Sequence, residues 1–251
     1  MCRIIGVLNF KGGTGKTTTV VNLAAGLALR GSRVLCIDLD AQSNLATYLG
    51  VQHQYTLKHL LMGQVEPESC IIPARNNLDL IISDENLVQA EGALWRLANR
   101  WASRLALSDK MKGINGYDFI FLDHSPSASL VNENGLFFAQ QIIIPVSMDF
   151  LSLIGVRQVI RMLKAIPNTL GPGVHLALIV PTLFEGRLRK DREIMEILHT
   201  HFADKVAKPI RANVSLSEAP GHHMSIYEYA PKSTGAIDYA HLVERVVRNG
   251  R

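Results

Sequence analysis

Cysteine is scarce: Cys2, Cys36 and Cys70 are three, odd in number and far apart. That pattern fits reduced thiols rather than a disulfide framework or a metal knot. Long apolar runs are missing too. None approaches the roughly 20 residues of a bilayer crossing, so no transmembrane segment is expected. Arg3 is the only charge ahead of the first apolar run, without the charged start, apolar middle and small-residue cleavage site of a secretory leader. The cytoplasm is therefore the expected compartment. With no internal repeat, low-complexity stretch or break in composition, the 251 residues predict one domain spanning 1–251. Nor does charge lean far to one side. Lys and Arg total 26 against 22 Asp and Glu, a bias that favours a polyanionic partner without demanding one.

What is present begins at once. Ile4-Ile5-Gly6-Val7-Leu8-Asn9 breaks into Phe10-Lys11-Gly12-Gly13-Thr14-Gly15-Lys16-Thr17-Thr18-Thr19 and then enters an apolar-periodic helix pattern from Val20. This is a phosphate-binding loop: its glycines let successive N–H groups turn inward around a polyphosphate, and the helix behind points its positive end at the same anion. Gly12, Gly13, Thr14, Gly15, Lys16, Thr17 and Thr18 are the candidate nucleotide contacts. Lys16 neutralises the β- and γ-phosphates, and the Thr17 hydroxyl is offered to Mg²⁺. The first glycine of G-x-x-x-x-G-K-[ST] falls at Phe10, and a second lysine, Lys11, stands in the loop. Lys16 already serves its own site from the helix side, so Lys11 is better placed to reach a neighbouring subunit's nucleotide.

Beyond the loop, Thr17–Arg30 reads as a helix and Arg33–Ile37 as a buried strand, which makes a β-α-β unit. Strand-like runs recur at 78–83, 117–123, 141–146 and 174–181, with helical patterns at 85–107, 151–166, 190–202 and 237–247. The alternation predicts an α/β fold with a doubly wound, mostly parallel sheet and helices on both faces. Ligands of such sheets bind beyond the carboxyl ends of the strands.

Two of those ends carry acids. Strand 34–37 runs into Asp38-Leu39-Asp40-Ala41-Gln42, and Phe119-Ile120-Phe121-Leu122 ends in Asp123. A strand-terminal carboxylate beside a phosphate loop suits Mg²⁺, a hard cation that takes oxygen ligands; Asp123 is assigned that role, although a strand-end Asp can also simply cap a helix. Asp38 is assigned to the cation or its waters. Ser125 and Ser127 either lie near the γ-phosphate or cap the helix before Leu130.

Lys11-Gly12-Gly13-Thr14-Gly15-Lys16-Thr17-Thr18 resembles the deviant Walker A loop of the ParA/MinD ATPases, and the likeness to the ParA side continues through 117–127, Ile144-Pro145-Val146 and 213–220. The resemblance implies that Lys11 crosses a nucleotide-sandwich dimer as a catalytic group alongside Lys16. It implies that Asp40 positions the attacking water, as the second acid of an Asp-x-Asp-Pro-Gln-Gly sequence in which Ala41 and Ser43 replace the proline and glycine. Adenine contacts carry over to Pro181, Thr182 and Asn213. The cofactors implied are ATP and Mg²⁺, and the function is that of a partition ATPase. ATP dimerises such a protein on nonspecific double-stranded DNA, in the nucleoid, and a ParB-like cargo adaptor stimulates the hydrolysis that releases it.

A membrane-coating ATPase of the MinD type needs a terminal amphipathic tail with a bulky apolar face, and 240–251 offers few and small apolar residues, so no membrane partner is expected. Candidate phosphate contacts on DNA are Arg187, Arg189 and Lys190, which crowd a helix start where cations oppose the dipole, together with Lys208, Arg211 and Lys232. Arg96, Arg100 and Arg104 fall at four-residue spacing beside Trp95 and Trp101. The seven-residue repeat of Leu87, Leu94 and Trp101 predicts that these tryptophans belong to the core.

Overall fold

The computed structural model describes residues 2–166 and 173–249. Strand β1 (Arg3–Val7) leads through the glycine loop into α1 (Lys16–Ala28), followed by β2 (Val34–Asp38), α2 (Asn44–Leu49) and α3 (Leu57–Leu61). A short hairpin, β3 (Ile72–Arg75) and β4 (Leu78–Ile81), precedes α4 (Leu87–Trp95), α5 (Arg100–Lys110) and β5 (Phe119–Asp123). The chain continues through α6 (Leu130–Phe138), β6 (Gln141–Ser147), α7 (Phe150–Ala165), β7 (His175–Thr182) and α8 (Arg189–Phe202), and finishes with α9 (Val214–Glu218), α10 (Ile226–Tyr229) and α11 (Thr234–Arg248).

The seven strands form one sheet in the order β3-β4-β2-β5-β1-β6-β7. Every pairing is parallel except β3 with β4. Alternation along the strands sorts the core onto the two faces. Ile5, Val7, Cys36, Phe119 and Phe121 pack with α1 and α11 through Val20, Leu27, Leu242 and Val246. Leu35, Ile37, Ile120, Leu122, Ile142 and Ile144 face the other way, onto Leu87, Leu130, Val156 and Val159. Strand order reverses at β1, so the glycine loop leaves the sheet at its topological switch point, where α/β sheets open a ligand crevice.

The edges are finished differently. Pro73 of β3 pairs with Asp79 at one edge. At the other, residues flanking 206–211 run beside β7 through the bridges Ile179 to Val206 and Phe184 to Arg211.

Two readings of the sequence need correction. The helix expected over 85–107 is two helices: the first ends at Trp95, and the Asn99 side chain accepts from the N–H groups of Trp101 at 2.9 Å and Ala102 at 3.2 Å and so starts a new one. The Leu87–Leu94–Trp101 repeat therefore does not run along one face. Leu87 and Leu94 are buried, but Trp95 is 61% exposed and Trp101 43%. The antiparallel strand β3 carried no signal that separated it from loop.

Candidate functional site

Gly13 (φ +74°) and Gly15 (φ +82°) hold the left-handed backbone that wraps the loop and starts α1. Thr14 is buried under the loop and its carbonyl accepts from Thr182 Oγ1 at 2.9 Å, tying the loop to the end of β7. Lys16 is 8% exposed and donates from Nζ to the Lys11 carbonyl at 3.1 Å. Burial lowers its pKa, while Asp123 and Asp40 pull it back up.

Thr17 Oγ1 donates to Asp123 Oδ2 at 2.7 Å. The other oxygen, Asp123 Oδ1, is buried without a hydrogen-bond partner among the described residues. Burial lifts this carboxyl to about 7; the Thr17 hydroxyl and Lys16 act against the rise and Asp40 adds to it. Asp38 is its register partner on β2. Burial first, and Asp123 second, hold Asp38 well above the usual carboxylate range, and its oxygens accept the N–H groups of Asp40 at 2.9 Å and Leu45 at 3.1 Å. The turn after β2 is thus folded on Asp38, which presents Asp40 to the cleft. Ser43, where the resembled sequence has glycine, sits at φ +54° and donates to the Ser83 carbonyl at 2.7 Å.

Gly12, Gly13, Gly15, Lys16, Thr17, Thr18 and Asp40 line a cleft of about 500 Å³ together with Gln42, Asn44, Thr47, Tyr48, Pro126, Thr182, Ile210, Arg211, Asn213, Leu216, Pro220 and Tyr239, while Asp38 and Asp123 lie buried outside its lining. Pro181 stands behind the wall, its carbonyl accepting from Ile210 N at 2.8 Å. Asn213 caps α9 and donates to Thr234 Oγ1 at 2.7 Å.

The chain matches the family described as an AAA domain over residues 2–176. It is 38% identical to the chromosome-partitioning ATPase Soj of Thermus thermophilus over 98% of this chain and 95% of that protein. The chain belongs to the ParA/MinD family. The sporulation initiation inhibitor Soj of Bacillus subtilis is 32% identical over the full length of both chains. Among solved structures, the cobyrinic acid a,c-diamide synthase of Mycobacterium smegmatis, with an ATP analog and magnesium bound, superposes with a TM-score of 0.85 at 28% identity, covering 100% of this chain and 98% of that one. The septum site-determining protein MinD of Pyrococcus horikoshii, complexed with Mg-ADP, gives 0.81 at 25% identity over 98% and 96%.

The second lysine of this ParA/MinD loop does not line the cleft. Lys11 Nζ pairs with Asp149 at 2.5 Å, and its N–H donates to Asn9 Oδ1 at 3.0 Å. Burial alone would raise the Asp149 carboxyl; hydrogen bonds from Lys11, Ser147 and Ser152 outweigh it and bring it to about 2. Asp149 and Asn9 gave no sequence signal because each is an isolated polar residue at a strand end. The turn after β5 is held by Asn132 of α6. Asn132 Oδ1 accepts from Ser125 N at 3.2 Å, and Nδ2 donates to the Ser125 carbonyl and hydroxyl, each at 2.9 Å, and to the Ser127 carbonyl. His124 is buried beside it, and burial depresses its pKa to about 4, which keeps the imidazole neutral.

The cations singled out for DNA lie apart from this cleft, except Arg211. Arg187 pairs with Glu185, Arg189 with Glu193, and Lys190 with the buried Asp191 and the Met148 carbonyl. Those acids relieve the crowding of charge at the start of α8. Arg211 pairs with Asp238 at 2.7 Å. Lys208 shares a groove of about 350 Å³ with His241, Arg245 and Arg248 and with the acids Asp204 and Glu244; His241, Arg245 and Arg248 fall on one face of α11 at spacings of four and three. Lys232 is exposed.

Proposed function

We propose that the protein is an ATP-hydrolysing partition or positioning factor, whose ATP-bound form dimerises on duplex DNA without sequence preference and leaves it after hydrolysis. The observation that carries the reading is a cleft lined by Lys16, Thr17 and Asp40, with the buried Asp123 hydrogen-bonded behind Thr17. The Thermus thermophilus relative, a chromosome-partitioning ATPase, supports the partition role.

The donor set fits magnesium. Asp123 Oδ1 is an unpartnered hard oxygen, Thr17 Oγ1 lies next to it, and no cluster of three or more His, Cys, Asp or Glu among the described residues makes a separate metal cage. Such a site suits an ion that shares its coordination with phosphate and water. Thr17 and Asp123 would hold magnesium, with Asp38 acting through Asp123, and the ion would supply charge neutralisation to a bound polyphosphate. The N–H groups of Gly12 to Thr18 cradle the phosphates, and Lys16 exchanges the Lys11 carbonyl for a phosphate oxygen. Asp40 orients the attacking water. Lys11 exchanges Asp149 for the nucleotide of a second subunit, where a cation supplies part of the roughly 4–7 kcal/mol that a 10³–10⁵-fold enhancement represents. Pro181 supports Thr182 and Ile210, and Thr182 and Asn213 border the adenine. DNA phosphates are contacted through Lys208, Arg245 and Arg248, with Arg187, Arg189, Lys190, Arg211 and Lys232 as outlying contacts.

The test is binding to random-sequence duplex DNA with ATP, ADP or no nucleotide, for the wild type and for Asp40→Ala. Salt-sensitive binding that requires ATP and persists in Asp40→Ala is the expected result. Absence of binding by a verified ATP-bound dimer overturns the DNA reading and leaves the ATPase reading in place.

A further inference from the structure

The loop that carries Asp40 is fastened to the neighbouring strand end by two serine hydroxyls that play no part in the phosphate or cation contacts above. Ser83 lies two positions beyond β4 and is 1% exposed. Its Oγ donates to the Asp40 carbonyl. Ser43 returns the contact, donating from its own Oγ to the Ser83 carbonyl at 2.7 Å. Each segment thus gives a hydroxyl to the other's main chain.

The clasp closes on the peptide groups of Asp40. Its N–H donates to Asp38 Oδ1 at 2.9 Å, and its carbonyl accepts from Ser43 N at 3.0 Å as well as from Ser83. The carboxylate is far less committed: one oxygen accepts the Gln42 N–H at 3.1 Å, and the residue lines the cleft with Lys16 and Thr17. A fixed main chain under a carboxylate that borders a phosphate site is what positioning of a reacting group requires. The anchor is itself held on both sides. The Ile82 carbonyl accepts from Leu57 N at 2.8 Å, and the Asp84 carboxylate accepts from Thr56 Oγ1 at 3.0 Å and Asn86 N at 2.8 Å.

Ser43 shows what the clasp costs. At φ +54° it occupies left-handed backbone that a Cβ disfavours and that glycine adopts freely. The hydroxyl it contributes offsets that strain, and strain kept beside a reactive group points to a function.

We propose that Ser43 and Ser83 are positioning residues for hydrolysis. They act through the main chain of Asp40 to hold its carboxylate where water attacks the terminal phosphate, and they add nothing to nucleotide affinity. The proposal rests on the reading of Asp40 as the group that orients water.

The experiment measures single-turnover hydrolysis and Mg-ATP affinity for the wild type, Ser83→Ala, Ser43→Gly, the double variant and Asp40→Ala, with thermal unfolding alongside. Ser83→Ala and Ser43→Gly should each slow hydrolysis about tenfold while ATP affinity stays within about twofold. Ser43→Gly separates positioning from folding, because relief of the left-handed strain offsets the freedom glycine adds to the unfolded chain. Its thermal midpoint should therefore stay close to that of the wild type while its rate falls. It also decides the question alone if Ser83→Ala fails to fold. Since both hydroxyls close one clasp, the double variant should be about as slow as the slower single variant. Wild-type rates in Ser43→Gly and Ser83→Ala, or losses of rate matched by losses of affinity, overturn the proposal. Losses that multiply in the double variant overturn the single clasp. If Asp40→Ala hydrolyses as fast as the wild type, the reading of Asp40 falls and the proposal with it; a wild type that hydrolyses no ATP sinks the ATPase reading itself.

Discussion

At the scale of single residues, the site holds carboxyl groups against their preference for water. Asp123 ionises near 3.8 in an unfolded chain and at about 7 in the fold. Between those values folding takes up a proton, so the nucleotide-free protein loses stability as pH rises through that window. Asp123→Asn removes the penalty: at pH 8, without nucleotide, thermal unfolding should move up by the equivalent of about 1–3 kcal/mol, with the gain shrinking toward pH 5. Magnesium-dependent ATP binding should be lost in the same variant. Lys11 is held in its own subunit by a half-exposed pair, worth about 0.5–1 kcal/mol. Asp149→Asn keeps the cap on α7 and releases the lysine, so ATP-dependent dimerisation measured by light scattering should tighten about two- to fivefold. Lys11→Ala should still bind ATP and lose both that dimerisation and the turnover that depends on it. Unchanged dimerisation and turnover would show that Lys11 does not act across subunits.

At the scale of elements, α7 sets the position of the lysine loop through a close approach. A Cβ at Gly155 would lie 2.1 Å from Asn9 Oδ1, the atom that accepts from Lys11 N, while Asn9 Nδ2 donates to the Pro145 carbonyl at 2.8 Å. Gly155→Ala should therefore cost about 1–3 kcal/mol in chemical denaturation despite the better helix propensity of alanine. The elements that sequence periodicity placed well are those whose partners are local: β1 with the glycine loop and α1, then β5 ending in Asp123. Period and punctuation encode such units directly. The α4–α5 break was hidden because the new helix starts on one Asn side chain turned back onto two N–H groups, which leaves the apolar spacing intact. Asp149, Asn9 and Asn132 were hidden for the opposite reason, since their partners are 136 to 138 positions away or depend on how a turn folds. Arg245 and Arg248 were visible on one helix face but carried no motif.

At the scale of the whole molecule, the phosphate site and the groove of Lys208, Arg245 and Arg248 are two separate surfaces on one sheet. If the groove meets DNA, replacing Arg245 and Arg248 by alanine should weaken ATP-dependent binding about equally on all sequences and flatten the salt slope by about 0.9 for each lost phosphate contact. ATP affinity of the free protein should not change. A protein that gathers on DNA meets itself at high local concentration, and an open parallel sheet is a template for adding strands. Here Pro73 offers no N–H from the outer strand, and the chain near 206–211 lies along the opposite rim. Crowding on a nucleic acid lattice should then leave individual molecules able to disperse again, because neither rim can recruit a neighbour into an endless ribbon.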